Sequence, residues 1–188
     1  MDSVVKLLPG QTALVGYGSL LSIRSLERTL QRSYDGPFIP CVVPGWRRSW
    51  DAAVPNQEYY AETENGRMYP DHILYLNVRP DPGAAVNAIL FVVDAEELAR
   101  FDERESVYDR ENVTAALGGV VVSGAAYMYV CRPQHRMSGL ASPKQGAVRS
   151  TYIEIVETGL SELGPGFRAA YERSSDAIPQ HLVIQDRK

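Results

Sequence analysis

Residues 12–31, TALVGYGSLLSIRSLERTLQ, combine a strand, a turn and a helix in one short stretch. The apolar run from Thr12 to Tyr17 is typical of a buried β-strand. A helical pattern follows from about Leu20 to Gln31, and its apolar face is formed by Ile23, Leu26 and Leu30. The sequence therefore predicts a helix that begins directly after a buried strand ends.

The turn between that strand and that helix, Tyr17–Leu20, is the first candidate site. A glycine at such a turn lets backbone N–H groups face outward, and the start of a helix presents further unpaired donors. Together they can bind a carboxylate or a polarised carbonyl oxygen. The structural alternative is that Gly18 and Ser19 only turn the chain and cap the helix.

The rest of the chain has strand-like and helix-like segments without an internal repeat. Strands are predicted at about Phe38–Trp50, Ile73–Val78, Val86–Val93, Tyr108–Leu117 and Val120–Arg132. Helices are predicted from Asp94, from Ser150 or Thr151 to about Thr158, and over Phe167–Arg173. Prolines within Phe38–Trp50 indicate a bent or edge strand. Because the strands and helices do not alternate regularly, an α+β fold is favoured.

Three connections between these elements carry further predictions. The polar stretch Asp51–Pro70 is expected to form a long surface loop, which in a compact domain is often functional. Pro80–Gly83 predicts a turn between two strands. Gly118-Gly119 divides the uncharged segment between Glu111 and Arg132, so a β-hairpin is favoured there over a membrane span.

The composition is that of a globular protein. The chain has 188 residues, of which 45% are hydrophobic and 22% are charged. Its formal net charge is −4, so its overall charge does not attract polyanions. We therefore expect no nucleic-acid partner and no attachment to an anionic membrane.

Cysteine and histidine usage argues against metal chemistry. Cys41 and Cys131 lie in apolar runs, which predicts reduced core thiols in a cytoplasmic protein, with a single disulfide as the alternative. The first nine residues lack the apolar stretch of a signal peptide. The three histidines are far apart, and no phosphate-binding loop or complete dinucleotide motif is present. No metal and no cofactor are expected.

Glu105 breaks the pattern of the helix that begins at Asp94. It continues the apolar stripe of Leu98 and Phe101, so its carboxylate is predicted to point toward the core. Partial burial and the nearby helix C-terminus both raise a carboxyl pKa toward the range useful for proton transfer. The structural alternatives are fraying of the helix end into water or an ion pair with Arg104, Arg110 or Arg47.

Four short motifs follow one another in an informative order. They are Gly16-Tyr17-Gly18-Ser19-Leu20, then Pro44-Gly45-Trp46-Arg47-Arg48, then Phe101–Glu105 with Val107–Arg110 and Val113, and finally Tyr152 with Gly159. This ordered set resembles the γ-glutamylcyclotransferase-like (AIG2-like) superfamily. The resemblance predicts a single domain over residues 1–188 with its core at about residues 12–175.

This resemblance implies a small mixed β-barrel with flanking helices, and a cavity where the Tyr17–Leu20 turn meets Glu105. Glu105 would be the catalytic acid/base, and the substrate would be bound by Tyr17, Gly18, Ser19, Leu20, Tyr108 and Tyr152. The expected reaction releases 5-oxoproline from a small γ-glutamyl amino acid, amine or peptide. It requires no cofactor.

Two other functions stay open at this point. A noncatalytic module of the same fold would use the turn to bind a carboxylate ligand. An enzyme that removes γ-glutamyl groups from a carrier or peptide would use the expected Asp51–Pro70 loop with its tyrosines, Tyr59, Tyr60 and Tyr69. The sequence gives neither the leaving group nor the oligomeric state.

Several aromatic residues have two interpretations. Tyr108 and Tyr152 either face the substrate or belong to an ordinary aromatic core. Trp46 and Trp50 either line the cavity or fill the barrel.

Overall fold

The bounds of the elements come from a computed structural model that describes residues 3–137 and 141–188. The strands are β1 (Ser3–Val5), β2 (Thr12–Gly16), β3 (Phe38–Pro55), β4 (Tyr60–Thr63), β5 (Gly66–Met68), β6 (His72–Val93), β7 (Tyr108–Asn112), β8 (Val120–Val122), β9 (Ala126–Cys131), β10 (Gly146–Arg149), β11 (Val183–Ile184) and β12 (Asp186–Arg187). The α-helices are α1 (Ile23–Leu30), α2 (Ala95–Arg104), α3 (Ser150–Leu163) and α4 (Pro165–Arg173). Short 3-10 helices occupy Ser19–Leu21, Thr114–Ala116, Pro133–His135 and Gln180–Leu182.

Strand β6 lies at the centre of a mixed sheet. Its last eight residues, Val86–Val93, are all buried, as expected for a strand covered on both faces. Strand β3 pairs antiparallel with one edge of β6, while β2 (antiparallel) and β10 (parallel) share the other edge. Strands β9 and β7 continue the sheet beyond β2, and β11 continues it beyond β10. This mixed sheet with its four helices confirms the predicted α+β class.

The two strands on that second edge leave the middle of β6 uncovered. β2 ends with Gly16 opposite Ile89, and β10 pairs with His72 and Ile73. Because β2 and β10 approach from opposite ends of β6, their carboxyl ends point toward the same gap. Each of these ends leads directly into a helix: Ser19–Leu21 and then α1 follow β2, and α3 follows β10. The gap positions the site described below.

The predicted turn at Pro80–Gly83 is wrong, because β6 is one continuous strand. In the ladder with β3, Pro44 lies opposite Ala85 and Trp46 opposite Pro80. Residues 81–84 of β6 thus lie opposite a single residue, Gly45, which has a φ of 83°. Pro80–Gly83 therefore belongs to an irregular stretch within β6 and is not a turn, because β3 pairs with β6 on both sides of this stretch. The prolines of β3 are tolerated because β6 is the only strand with which it forms a ladder in the described part of the chain.

The expected loop over Asp51–Pro70 is also wrong for most of its length. Residues 51–55 belong to β3, and β4 and β5 form an antiparallel hairpin whose outer partner is β12. The rings of Tyr60 and Tyr69 pack together across this hairpin at 5.5 Å. Pairing with a strand from the far end of the chain orders a segment whose local composition favours a loop.

Two glycine positions behave differently from the sequence prediction. Strands β7 and β9 are antiparallel as expected, but Gly118-Gly119 is not their turn, because β8 leaves them and pairs parallel with β1. Gly159 does not end a helix, since α3 continues to Leu163. A Cβ on Gly159 would lie 2.6 Å from the backbone carbon of Leu21, so this glycine allows α3 to pack against the 3-10 helix.

Local signals at the helix starts are mostly confirmed. Asp94 and Glu97 form a reciprocal capping box at the start of α2. α1 begins at Ile23 rather than near Leu20, because the chain first forms a 3-10 turn.

Cys41 and Cys131 are buried free thiols, as predicted. Within the described residues, no helix is long and apolar enough to cross a membrane.

Candidate active site

A cavity of about 390 Å³ opens beside the uncovered middle of β6. The end of β2, the end of α2, the start of β7 and the start of α3 each contribute to its wall. All seven residues predicted to act in binding or catalysis line this cavity: Tyr17, Gly18, Ser19, Leu20, Glu105, Tyr108 and Tyr152. The fold thus brings together residues from separate segments of the chain, and their individual roles remain predictions.

The turn after β2 lines this cavity and has backbone donors without a protein partner in the described part of the chain. The N–H groups of Gly18, Ser19 and Leu20 donate no hydrogen bond to any residue that the structure describes. A Cβ on Gly18 would lie 3.1 Å from Tyr152 Oη and 3.4 Å from Leu76 Cβ. Glycine at this position therefore lets the turn lie close to the far wall of the cavity.

Arg48 holds this turn in place through its backbone. The Nε of Arg48 donates a 2.7 Å hydrogen bond to the carbonyl oxygen of Tyr17. Its other donors reach Asn87 and Ser174, and the guanidinium lies 4.3 Å from the ring centre of Tyr171. The side chain is fully buried, and burial lowers the Arg48 pKa to about 10. Sequence reasoning placed Arg48 in a motif but did not single it out as part of the site.

Tyr17 forms part of the cavity wall, and its hydroxyl is hydrogen-bonded within the protein. Its Oη donates a 2.7 Å hydrogen bond to the carbonyl oxygen of Tyr129. Burial, with a contribution from the nearby Glu105 carboxylate, raises the Tyr17 pKa well above its usual value of 10.0. The phenol therefore stays neutral.

Glu105 lies at the C-terminal end of α2, where its N–H donates to the carbonyl oxygen of Phe101. Its side chain is only 17% exposed. Burial raises the Glu105 pKa, and the positive charge of Arg104 partly opposes this effect. The structure thus agrees with the predicted inward orientation and raised pKa. Of the three possible ion-pair partners, it selects Arg104, with 3.2 Å between Arg104 Nε and Glu105 Oε1.

Arg104 connects Glu105 to the turn. Its Nη2 donates to Ser19 Oγ at 2.8 Å, and its Nη1 donates to Thr29 Oγ1 at 2.5 Å and to the Ser25 carbonyl oxygen at 3.1 Å. One guanidinium therefore fixes α2, α1 and the turn relative to one another. The sequence indicated Arg104 only as a possible ion-pair partner, because its contacts to α1 depend on the tertiary fold.

The two predicted tyrosines face the cavity and also pack within it. Tyr108 Oη donates a 2.9 Å hydrogen bond to the Leu76 carbonyl oxygen, on the uncovered edge of β6. The Tyr152 ring packs edge-on against Tyr75 at 4.9 Å and against Trp50 at 6.1 Å. Burial raises the pKa of both tyrosine hydroxyls, which keeps them neutral. Tyr108 and Tyr152 therefore fit both interpretations, because each side chain lines the cavity and also packs against neighbouring residues of the core.

Neither tryptophan lines this cavity. Trp50 is buried in the core and borders a different pocket, while Trp46 is partly buried against the same core. Across residues 3–137 and 141–188, no three histidine, cysteine, aspartate or glutamate residues lie close enough together to hold a metal ion.

The comparison with protein families decides the relationship that the motifs indicated. The family model described as "Gamma-glutamyl cyclotransferase, AIG2-like" matches residues 17–149. The chain belongs to this γ-glutamyl cyclotransferase family. The superfamily predicted from the motifs is thereby confirmed. The matched region contains the turn, Glu105 and Tyr108, whereas Tyr152 lies just beyond it.

Solved structures support the γ-glutamyl cyclotransferase fold. A protein named "Gamma-glutamyl cyclotransferase" is 12% identical, with a TM-score of 0.61 and 90% coverage of both chains. An uncharacterized protein from Homo sapiens is 14% identical, with a TM-score of 0.62 and 90% coverage of both chains. A yeast γ-glutamyl cyclotransferase specific to glutathione is 11% identical, with a TM-score of 0.53 and coverage of 87% of this chain and 95% of its own. At these identities the likeness concerns the fold alone.

No curated protein shows a significant sequence match to the chain.

Proposed function

We propose that this chain is a γ-glutamyl cyclotransferase that releases 5-oxoproline from a small γ-glutamyl compound without a cofactor. One observation carries the proposal. Glu105, a carboxyl group whose pKa is raised by burial, lines the same cavity as the Tyr17–Leu20 turn, in which the N–H groups of Gly18, Ser19 and Leu20 have no partner among the described residues. A proton acceptor and a set of oxyanion donors are the parts that intramolecular acyl transfer requires.

In the proposed reaction, the carboxylate of Glu105 takes a proton from the α-ammonium group of the substrate. The freed nitrogen attacks the γ-carbonyl carbon of the same molecule, forms a new C–N bond and closes the ring. The γ-carbonyl oxygen carries negative charge until the bond to the leaving nitrogen breaks. The α-nitrogen loses two protons in total, and both pass through Glu105 to the leaving nitrogen. The leaving nitrogen, with these two added protons, departs as an ammonium group.

The site suits this chemistry because the nucleophile belongs to the substrate. What the protein must supply is a fixed near-attack geometry, so no activated serine or metal-bound water is needed. We assign the N–H groups of Gly18, Ser19 and Leu20 to the substrate carboxylate or to the developing oxyanion. A raised carboxyl pKa lets Glu105 both accept a proton and return it to the leaving nitrogen.

The test is to incubate the protein with γ-glutamyl amino acids, γ-glutamyl amines and glutathione, and to measure 5-oxoproline by mass spectrometry. Glu105→Gln keeps the side-chain shape and removes the base, so we expect product formation to fall by about 10²- to 10⁴-fold. Glu103→Gln is the matched control, because Glu103 lies on the same helix, is exposed and does not line the cavity.

The outcomes separate the competing functions. A wild-type rate in Glu105→Gln would overturn the assignment of the base. Absence of product with every compound would overturn the reaction. Unchanged binding of a carboxylate ligand to Glu105→Gln would then favour the noncatalytic module.

The proposal also covers the extent of the domain and the location of the reaction. All the residues used above lie within the domain core expected at residues 12–175. We place the reaction in the cytoplasm, where free thiols such as those of Cys41 and Cys131 stay reduced.

A further inference from the structure

A second groove adjoins the active-site cavity. It has a volume of about 550 Å³ and lies where α1, α3 and residues 186–188 come together. Four residues line both spaces: Ser25, Arg28, Arg149 and Ile155. Since the γ-glutamyl group is proposed to lie against Glu105 and the turn, this groove is an adjoining space toward which a leaving group can extend.

The groove carries more positive charge than its own ion pairs neutralise. Arg149 pairs with Asp186 at 2.9 Å, and Lys188 pairs with Glu58 at 2.7 Å. The other cationic residues of its lining form neither an ion pair nor a side-chain hydrogen bond with any residue in the described part of the chain: Arg24, Arg28 and Arg187. Arg24 and Arg28 are exposed and lie one helical turn apart on α1.

The acidic groups of the groove do not offset these three guanidinium groups. Asp186 is occupied, because it also accepts hydrogen bonds from Ser150 and Thr151. Glu154 is an exposed carboxylate in the lining, so it compensates for at most one of the three charges. The groove is therefore positively charged, although the chain as a whole has a net charge of −4.

We infer that this groove binds the leaving group of the substrate and that the leaving group is polyanionic, an acidic amino acid or acidic peptide joined through its amino nitrogen to the γ-glutamyl carbon. This inference rests on the proposed function. A neutral amino acid supplies one carboxylate, whereas Arg24, Arg28 and Arg187 offer sites for at least two. Guanidinium groups bind carboxylates through paired hydrogen bonds.

Two substrates of equal size test the inference. γ-Glutamyl-glutamate and γ-glutamyl-glutamine differ by one negative charge on the leaving group. We expect kcat/KM to be about fivefold higher for the glutamate compound at low ionic strength, and this preference to shrink as salt is added.

Three variants locate the source of the preference. Arg28→Gln and Arg24→Gln are each expected to lower the ratio of the two kcat/KM values toward one. Glu154→Gln removes the opposing charge and is expected to raise the ratio. Arg173→Gln is the control, because Arg173 is exposed, forms no ion pair with a described residue and lies outside both spaces.

Failure of the inference can be distinguished from failure of the proposed function. If neither compound yields 5-oxoproline and the wider panel is also negative, the function fails. If both compounds are converted with equal kcat/KM, the inference is overturned and the function stands. A preference for the glutamate compound that persists undiminished when Arg24, Arg28 and Arg187 are all replaced by Gln would also overturn it, because none of the three guanidinium groups on which the inference rests would be its source.

Discussion

Arg104 Nη2 donates a 2.8 Å hydrogen bond to Ser19 Oγ across 85 positions of sequence. The same guanidinium lies 3.2 Å from the carboxylate of Glu105. The proposed base and the proposed substrate-binding turn are therefore held by one side chain. A change at Arg104 is expected to affect both the proton affinity of Glu105 and the geometry of the turn.

Replacing Arg104 should shift the pH dependence of the reaction. Its charge lowers the Glu105 pKa against the larger effect of burial, so Arg104→Gln is expected to raise that pKa further. The acidic limb of the kcat/KM profile then moves to higher pH. Arg104→Lys restores the charge but not the set of hydrogen bonds. The acidic limb should therefore return to its wild-type pH, while kcat/KM stays about tenfold below that of the wild type.

A pH profile of 5-oxoproline formation checks this prediction. Arg110→Gln is the control, since Arg110 pairs with Asp102 and does not line the cavity. An unshifted limb in Arg104→Gln would show that the charge of Arg104 does not tune Glu105.

Burial of Glu105 should reduce stability at neutral pH. Its pKa is raised in the folded protein, so the folded state binds the proton more tightly than the unfolded state does. The free energy of unfolding therefore falls as pH rises from the usual carboxyl pKa of 4.5 through the raised value. We expect Glu105→Gln to be more stable than wild type near pH 7 and the difference to disappear near pH 4.

Denaturant unfolding at several pH values measures this difference, with Glu103→Gln run in parallel. The opposite sign, a Glu105→Gln variant that is less stable near pH 7, would mean that the Arg104 ion pair outweighs the cost of burial.

Gly18 is predicted to be intolerant of a side chain because of Tyr152. The Cβ of Gly18→Ala would lie 3.1 Å from Tyr152 Oη, so the turn or the tyrosine must move. We expect kcat/KM to fall on the order of tenfold. Adding Tyr152→Phe removes the hydroxyl and should recover part of the loss, giving a positive coupling in the double-mutant cycle.

Gly166→Ala in α4 serves as the control, since a Cβ there meets nothing within 4 Å. Strictly additive effects of Gly18→Ala and Tyr152→Phe would contradict this close-approach explanation.

Arg48 is predicted to contribute more to stability than its neighbour Arg47. Arg48→Gln leaves buried acceptors on Tyr17, Asn87 and Ser174 without their donor, and we expect a loss of about 3 kcal/mol in the free energy of unfolding. Arg47 is partly exposed and pairs with Asp81, so Arg47→Gln should cost less than about 1 kcal/mol. Chemical denaturation of both variants tests this. Equal losses would show that the buried contacts of Arg48 add nothing.

Much of the fold could be predicted because its signals are local. The strand-turn-helix order over residues 12–31 and the helix start at Asp94 depend on neighbouring residues, so the sequence alone indicates them. The inward position of Glu105 also follows from helix periodicity. The family and the cavity residues were indicated by the four short motifs and their order along the chain.

Predictions failed where long-range pairing decides the local conformation. Pro80–Gly83 has the composition of a turn, yet β3 holds it within one strand by pairing on both sides of it. The Asp51–Pro70 segment is polar, yet β12 orders it as a hairpin from the far end of the chain. Gly159 resembles a helix end, yet α3 continues to Leu163, and the absence of a side chain at Gly159 lets the 3-10 helix pack closely against α3.

The sequence by itself indicated the α+β class, the proposed base and the turn that is proposed to bind the substrate. Helix periodicity, capping and turn chemistry act over a few residues, and short motifs record them. Only the tertiary structure decided that Arg104 joins Glu105 to Ser19, that Arg48 holds the turn, and that Arg24 and Arg28 border a groove next to the cavity. These relationships join distant segments, and they arise because β2 and β10 reach β6 from opposite ends and leave its middle open.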